Sequence, residues 1–246
     1  MALQIHQFPC LSDNYAFLVR DEASGKVASI DTPDAGAILA EADALGWRID
    51  MILNTHWHPD HAGGNAKIKA RFGSVVVAPE EVRQLSEIDQ VVTHGDSVWL
   101  GDTRFDVIDT GGHTLGHVCF HAPSEATVFV GDTLFPMGCG RLFEGTPDQM
   151  WASLSRLVRL PDATLVYSAH EYTLANARFA VSVDTSESVA QRVAAVELAR
   201  ANDRPTVPTT IGEEKATNPF LRAPLLVQSV SDVEAFAQIR QRKDVF

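Results

Sequence analysis

Between residues 55 and 61 the chain reads Thr55-His56-Trp57-His58-Pro59-Asp60-His61, which places three imidazoles and one carboxylate within six consecutive residues. Ala62-Gly63-Gly64-Asn65 follows. Imidazole nitrogen and carboxylate oxygen are ligands for zinc, iron or manganese. Spacing decides which of them can share an ion. His56 and His58 are two apart, and in extended backbone such residues point to the same side. Both rings can therefore reach one ion. Pro59 fixes its own φ and turns the chain. Asp60 and His61 would crowd that ion but can reach a second one beside it. The bland alternative is a solvated, His-rich loop. Four ligand-type residues in this order weigh against it.

Such a cluster has to be held by regular structure on both sides. Ile49-Asp50-Met51-Ile52-Leu53 is an apolar run with the length of a buried strand. Residues 65–72 carry Ile68 and Phe72 four apart, with Gly73 as a helix stop. The cluster is thus expected on a loop at the C-terminal end of a strand, where α/β proteins place their chemistry. Three further stretches place ligand-type residues just past expected strands. Thr110-Gly111-Gly112-His113 follows a strand over 104–109, and its glycines let the backbone come close. Gly131-Asp132-Thr133 follows a strand over 126–131, and Ser168-Ala169-His170-Glu171 follows Leu165-Val166-Tyr167. The set His56, His58, Asp60, His61, His113, Asp132 and His170 holds five histidines and two aspartates. That is enough for two ions with one carboxylate shared.

The remaining pattern reads as an α/β chain. Strands are expected over 2–8, 14–20, 26–30, 74–78, 97–100 and 117–121. A helix is expected over 35–45, with Asp34 as N-cap, Gly46 as stop and Ile38, Leu39, Ala42 and Leu45 as its apolar stripe. Residues 80–96 are polar and carry no clear element. Residues 147–160 are amphipathic. After His170 the texture becomes helical, over 172–182, 186–203 and 231–240, with 206–219 loop-like and Arg240-Gln241-Arg242-Lys243 a solvated helix end. A boundary near 170 separates a β-rich domain over 1–170 from a helical one over 171–246.

The chain has 246 residues, 45% hydrophobic and 21% charged, which is ordinary for a soluble globular protein. No run approaches the roughly 20 apolar residues of a membrane span. The first residues carry neither the basic nor the apolar segment of a secretory signal. Cys10, Cys119 and Cys139 are an odd, scattered set, which fits free thiols in a reducing compartment. A cytoplasmic protein is expected. The formal net charge of −12 argues against nucleic acid as a partner. An anionic small substrate remains compatible, because a bound dication and a few placed Arg or Lys invert the field locally.

The motif His56-x-His58-x-Asp60-His61 with His113, Asp132 and His170 resembles the metallo-β-lactamase superfamily. Three further segments resemble its glyoxalase II (hydroxyacylglutathione hydrolase) family. They are Gly138-Cys139-Gly140-Arg141-Leu142-Phe143-Glu144-Gly145, Ala169-His170-Glu171-Tyr172-Thr173 and Asn218-Pro219-Phe220-Leu221-Arg222. The resemblance implies an αββα sandwich followed by a small α-helical C-terminal domain that helps to bind glutathione. It implies that His56, His58 and His113 bind one ion, that Asp60, His61 and His170 bind the other, and that Asp132 bridges them. The ions would be two divalent metals, zinc first, with iron or manganese as alternatives.

Two such ions lower the pKa of water and polarise a carbonyl. Asp60 and Asp132 would orient the nucleophile, so no Ser or Cys nucleophile is needed, and Cys139 reads as a small loop residue. The implied reaction is hydrolysis of S-(2-hydroxyacyl)glutathione, chiefly S-D-lactoylglutathione, to glutathione and D-lactate, the hydrolytic step of methylglyoxal degradation. Arg141, Tyr172 and Arg222 are the implied substrate contacts, with Lys215 as a helper. Animal members carry Tyr where this chain has Phe143, and a second basic residue shortly after the position of Arg222, where this chain has Ala223-Pro224-Leu225-Leu226. A monomer is expected. The competing readings are a mononuclear iron dioxygenase acting on glutathione persulfide, a lactonase or β-lactamase with the same site, and a non-catalytic metal-binding module. A nuclease fits poorly with the acidic charge. His6, His94, His117 and His121 read as structural or solvated, with His117 the one placed to orient a ligand.

Overall fold

The computed structural model describes residues 3–246, which divide into two units. The start of the expected first strand, residue 2, lies outside the described residues. The first unit comprises the described residues up to Asp109 together with Gly116–Gly131. Its first sheet runs β1 (Leu3–Cys10), β2 (Asn14–Asp21), β3 (Val27–Ile30), β4 (Ile49–Leu53), β5 (Val75–Ala78) and β6 (Gln90–Val91), in that spatial order. β1 to β3 are antiparallel neighbours, whereas β3 to β6 are parallel. Parallel neighbours need crossovers. α1 (Ala35–Leu45) crosses between β3 and β4, and α2 (Pro59–Ala62) and α3 (Asn65–Phe72) lie between β4 and β5.

The sequence logic of α1 holds. The Asp34 carboxylate accepts from the N–H groups of Gly36 and Ala37, and Gly46 ends the helix at φ 66°. Ile38 and Ala42 are fully buried, while Leu39 and Leu45 pack half-buried at the margin of the same core. One detail of the ligand cluster differs from expectation. Its second half is a single helical turn, α2, with Pro59 at the first position, where its missing N–H costs nothing. The polar stretch 80–96 also has structure: a short 3-10 turn over Glu80–Gln84, then the edge strand β6.

β7 (Ser97–Leu100), β8 (Thr103–Asp109), β9 (Val118–Ala122) and β10 (Thr127–Gly131) complete the unit as an antiparallel meander. The meander packs on the first sheet through aromatic rings. Phe129 meets Phe17 of the first sheet edge-on at 5.6 Å and, within the meander, lies 6.4 Å from Phe105. Asp21 ties the two sheets at one end. Its carboxylate accepts from the Ser24 backbone and hydroxyl at 2.7 and 2.6 Å, and from the Thr103 hydroxyl at 2.7 Å.

The second unit comprises Thr110–Leu115 and Asp132–Phe246. Its elements are the hairpin β11 (Leu134–Phe135) and β12 (Gly138–Cys139), α4 (Pro147–Leu157), β13 (Leu165–Ser168), α5 (Thr173–Val183), α6 (Glu187–Ala201), β14 (Thr209–Thr210), α7 (Ile211–Thr217), α8 (Ala223–Leu226) and α9 (Asp232–Asp244). The stretch 206–219, expected to be loop, contains both β14 and α7. The signal was present as the capping box Thr210-x-x-Glu213, in which each side chain bonds the other's backbone. Glu214 then acts as a fully buried anchor. It accepts from Met137 N at 2.8 Å, Thr209 Oγ1 at 2.7 Å, Asn218 Nδ2 at 2.9 Å and Arg192 Nη2 at 3.2 Å. α9 extends beyond its expected end, and Arg240 is only 5% exposed rather than solvated.

Burial disfavours the charge on Asp21, but the hydrogen bonds from Ser24 and Thr103 outweigh it and hold the carboxyl at about 2, below its usual 3.8. A depressed folded-state value stabilises the fold above the unfolded value and loses that stabilisation as pH falls through the folded one. Thermal melts of Asp21→Asn between pH 4 and 2 should therefore show a shallower acid-induced fall than the parent chain. An unchanged slope would assign the acid sensitivity elsewhere.

Candidate metal centre

In the first unit the donors stand where β4 ends. His56 is fully buried, and its Nε2 lies 3.0 Å from His58 Nδ1 with the rings nearly perpendicular. His56 Nδ1 meets the Thr55 hydroxyl at 3.0 Å, and Nε2 is the nitrogen turned to His58. His61 is 1% exposed, and its Nδ1 lies 2.8 Å from Asp31 Oδ2. Its Nε2 lies 3.8 Å from Asp60 Oδ2. The Asn14 amide donates to Asp60 Oδ2 at 3.3 Å and to Asp60 O at 3.4 Å. His117 is fully buried and stacks on His56 at 4.8 Å.

Behind these donors is a network that sequence reasoning missed. The parallel register pairs Ile30 with Leu53, so Asp31 stands beside the chain entering the cluster. Asp31 N donates to Leu53 O at 2.9 Å, and the Asp31 carboxylate accepts from Thr55 N and Thr55 Oγ1, each at 2.8 Å. Asp31 adopts φ 55°, a sparsely populated region for a residue with a side chain. The bonds to Thr55 and His61 hold it there, an outlier of the kind concentrated at functional sites. Thr32, Asn54 and Asn65 add a buried amide and hydroxyl network that fixes the His61 carbonyl. Asp31 directly follows an expected strand, so the rule that found Asp132 could also have found it.

In the second unit the donors centre on Asp132. His113 Nε2 lies 3.3 Å from Asp132 Oδ2, and His170 Nε2 lies 3.4 Å from Asp132 Oδ1. His113 Nδ1 lies 2.9 Å from the carbonyl of Arg141. Two glycines allow this closeness. Gly112, at φ 144°, packs against Met150, where a Cβ would come within 2.8 Å of that side chain. Gly140 lies directly on the Asp132 carbonyl and leaves no room for a side chain. The Tyr172 ring stacks parallel on His170 at 4.7 Å, and the Phe143 ring stands 5.1 Å from His113. The Arg141 guanidinium lies 4.6 Å over Phe143.

The donor chemistry fits a divalent ion. In tetrahedral coordination at about 2.0–2.1 Å, neighbouring ligand atoms sit about 3.3 Å apart. The His56–His58, His113–Asp132 and His170–Asp132 spacings bracket that value at 3.0, 3.3 and 3.4 Å. Thiols are poorly suited to serve as ligands or nucleophiles here. Burial pushes Cys139 up to about 11 despite Arg240 beside it, and burial with the Asp34 charge does the same to Cys10. The other named residues have partners of their own. Arg222 Nε pairs with Asp184 and Lys215 with Asp162, each at 2.7 Å. His6 pairs with Glu41, and His94 accepts from Asp109 N.

The sequence matches the metallo-beta-lactamase superfamily over residues 15–170 and the hydroxyacylglutathione hydrolase C-terminus over residues 171–246. Solved structures agree. ETHE1 from Myxococcus xanthus is 28% identical with a TM-score of 0.72, over 97% of this chain and 90% of that one. TTHA1623 in a di-iron-bound form is 26% identical with a TM-score of 0.65, over 89% and 100%. The chain belongs to the metallo-β-lactamase superfamily, whose fold has two sheets and flanking helices, and its donors are those of a divalent-metal enzyme. A hydroxyacylglutathione hydrolase of Maricaulis maris is 57% identical over 99% of each chain. Within the superfamily, this chain is a member of the hydroxyacylglutathione hydrolase family.

A carboxylate behind a ligand histidine typically accounts for 10–100-fold in metal affinity. Replacing Asp31 by Ala should weaken metal retention by roughly 10-fold or more in a chelator competition. Retention equal to that of the parent would remove Asp31 from the metal-binding machinery.

Proposed function

We propose that the chain hydrolyses S-(2-hydroxyacyl)glutathione, with S-D-lactoylglutathione the first substrate to test, giving glutathione and D-lactate. In this reading His56, His58 and His113 hold one divalent ion, Asp60, His61 and His170 hold a second, and Asp132 bridges them. The observation that carries it is the Asp132 carboxylate, which turns one oxygen to His113 and the other to His170. A bridging ligand needs that division. Zinc is the ion to test first, with iron or manganese as alternatives. The di-iron form of the TTHA1623 relative supports a two-ion reading.

When bound, such ions bring the pKa of water from 15.7 towards about 7 and polarise a carbonyl. The protein's own groups do the rest. Asp60 and Asp132 accept a hydrogen bond from the attacking water and aim it at the acyl carbon. Asn14 holds Asp60 Oδ2, the oxygen turned towards His61. Asp31, Thr55 and the Arg141 carbonyl fix the imidazole tautomers. The departing thiolate is a weak base and needs little help from a general acid.

Glutathione carries carboxylates, and the exposed Arg141 guanidinium, stacked on Phe143, supplies positive charge near His113. Tyr172 adds a hydroxyl beside His170. Arg222 and the 171–246 segment serve as the substrate-binding domain, and 1–170 as the catalytic one. We place the chain in the cytoplasm as a monomer. No helix among the described residues is long and apolar enough to cross a membrane.

Thioester absorbance should fall rapidly with metal-loaded protein, stop after chelation and resume on adding metal. No loss of S-D-lactoylglutathione with the loaded protein would overturn the assignment. Asp132→Asn should lower kcat/KM by at least about 100-fold, more than is typical when a ligand's hydrogen-bond partner is lost. Metal content per chain should fall with it. A variant with full metal content and activity would remove Asp132 as the bridge.

A further inference from the structure

Near the end of the chain a buried arginine points back at the loop that carries the ligand environment. Arg240 lies on α9, 5% exposed. Its Nη1 donates to the carbonyl of Cys139 at 3.2 Å. Nε and Nη2 bind Asp244 at 3.0 and 2.8 Å. The guanidinium face lies 4.8 Å over the Phe220 ring. A planar group with donors on two edges and an apolar face meets all three partners at once, which a lysine cannot do.

The carbonyl it holds is in a sensitive place. Cys139 pairs with Leu134 in the hairpin of β11 and β12. The next residue, Gly140, donates to Thr133 O at 3.2 Å and packs on the Asp132 carbonyl, where a Cβ would also come within 3.3 Å of His113 Cβ. The residue after that, Arg141, supplies the carbonyl that receives His113 Nδ1. The chain then returns, and Phe143 N and Glu144 N both donate to His113 O. Two residues beyond the Arg240 contact, the backbone therefore sets the tautomer and tilt of His113.

We infer that Arg240 is a positioning residue. From the last turns of α9 it clamps the Cys139 carbonyl, and through residues 139–141 it fixes the His113 imidazole for metal binding. The inference rests on the metal-site reading above, but its test can be read without any substrate. In full-length Arg240→Met, loaded with cobalt, the visible absorption bands should shift relative to the parent. Cobalt should also be lost to a chelator about 3- to 10-fold more readily, somewhat less than when a direct partner of a ligand is removed. With S-D-lactoylglutathione, kcat should fall by about the same factor, and by more than KM rises.

Asp244→Ala loosens the same arginine from a half-exposed position at the helix end, and should shift the bands in the same direction by less. A merely structural role would lower the melting temperature and leave the cobalt spectrum and kcat at parental values in both variants. That result would overturn the inference. If Arg240→Met does not fold, Asp244→Ala decides alone: a shifted spectrum supports the clamp, and a parental one overturns it. If the parent cleaves no thioester, the functional reading falls while the cobalt spectra still decide the role of Arg240.

Discussion

An imidazole has two nitrogens, and a metal can use only one without losing the other as an anchor. Much of this structure depends on how the second nitrogen is held. His61 gives it to the Asp31 carboxylate, His56 to the Thr55 hydroxyl, and His113 to the Arg141 carbonyl. Each partner fixes the ring's orientation and selects the nitrogen left over for another ligand. The partners also differ in strength, since a carboxylate raises the basicity of its histidine more than a hydroxyl does. None of these anchors is free to wander. Asp31 is set by the parallel register of β3 and β4, and it holds its left-handed backbone because its carboxylate is fully used.

Much of this was legible in the chain, and the limits have physical causes. The His56 to His61 cluster is local, so its chemistry can be read from spacing alone. His113, Asp132 and His170 were found because ligand-type residues just past apolar runs are unusual enough to notice. Asp31 stands in the same kind of place, but Asp-Thr-Pro reads first as a turn, and the partner that gives it meaning is thirty residues away in His61. The helix over 211–217 was missed because Thr206 to Pro219 is rich in turn-forming residues, although the capping box was there to see. Arg240 looked like a solvated charge near a helix end. Nothing local announces Phe220 or a carbonyl 101 residues earlier, so its burial is a tertiary fact.

The acidic balance of the chain takes a specific form at the residue level. Arg222, Lys215 and Arg192 lie against carboxylates of Asp184, Asp162 and Glu214. Arg141 instead rests on an aromatic face. Stacking holds a guanidinium in position without neutralising it. Phe143 thus has a mechanical role towards Arg141: its ring carries the guanidinium and adds no hydroxyl.

The matched superfamily region ends at residue 170 and the matched C-terminal region begins at 171, so the joint falls between His170 and Glu171. Within the second stretch, Glu171 accepts from Thr206 N and Oγ1 at 2.9 and 2.7 Å. Across the joint, Asn218 donates to the carbonyls of Phe135 and Gly138, Glu214 accepts from Met137 N, and β14 completes a pair with β13. The two stretches match separate families and are joined as structure. A chimera that exchanged the second stretch would have to bring Asn218, Glu214 and the β14 edge with it. The family boundary falls at one peptide bond, but hydrogen bonds and a strand pair stitch across it.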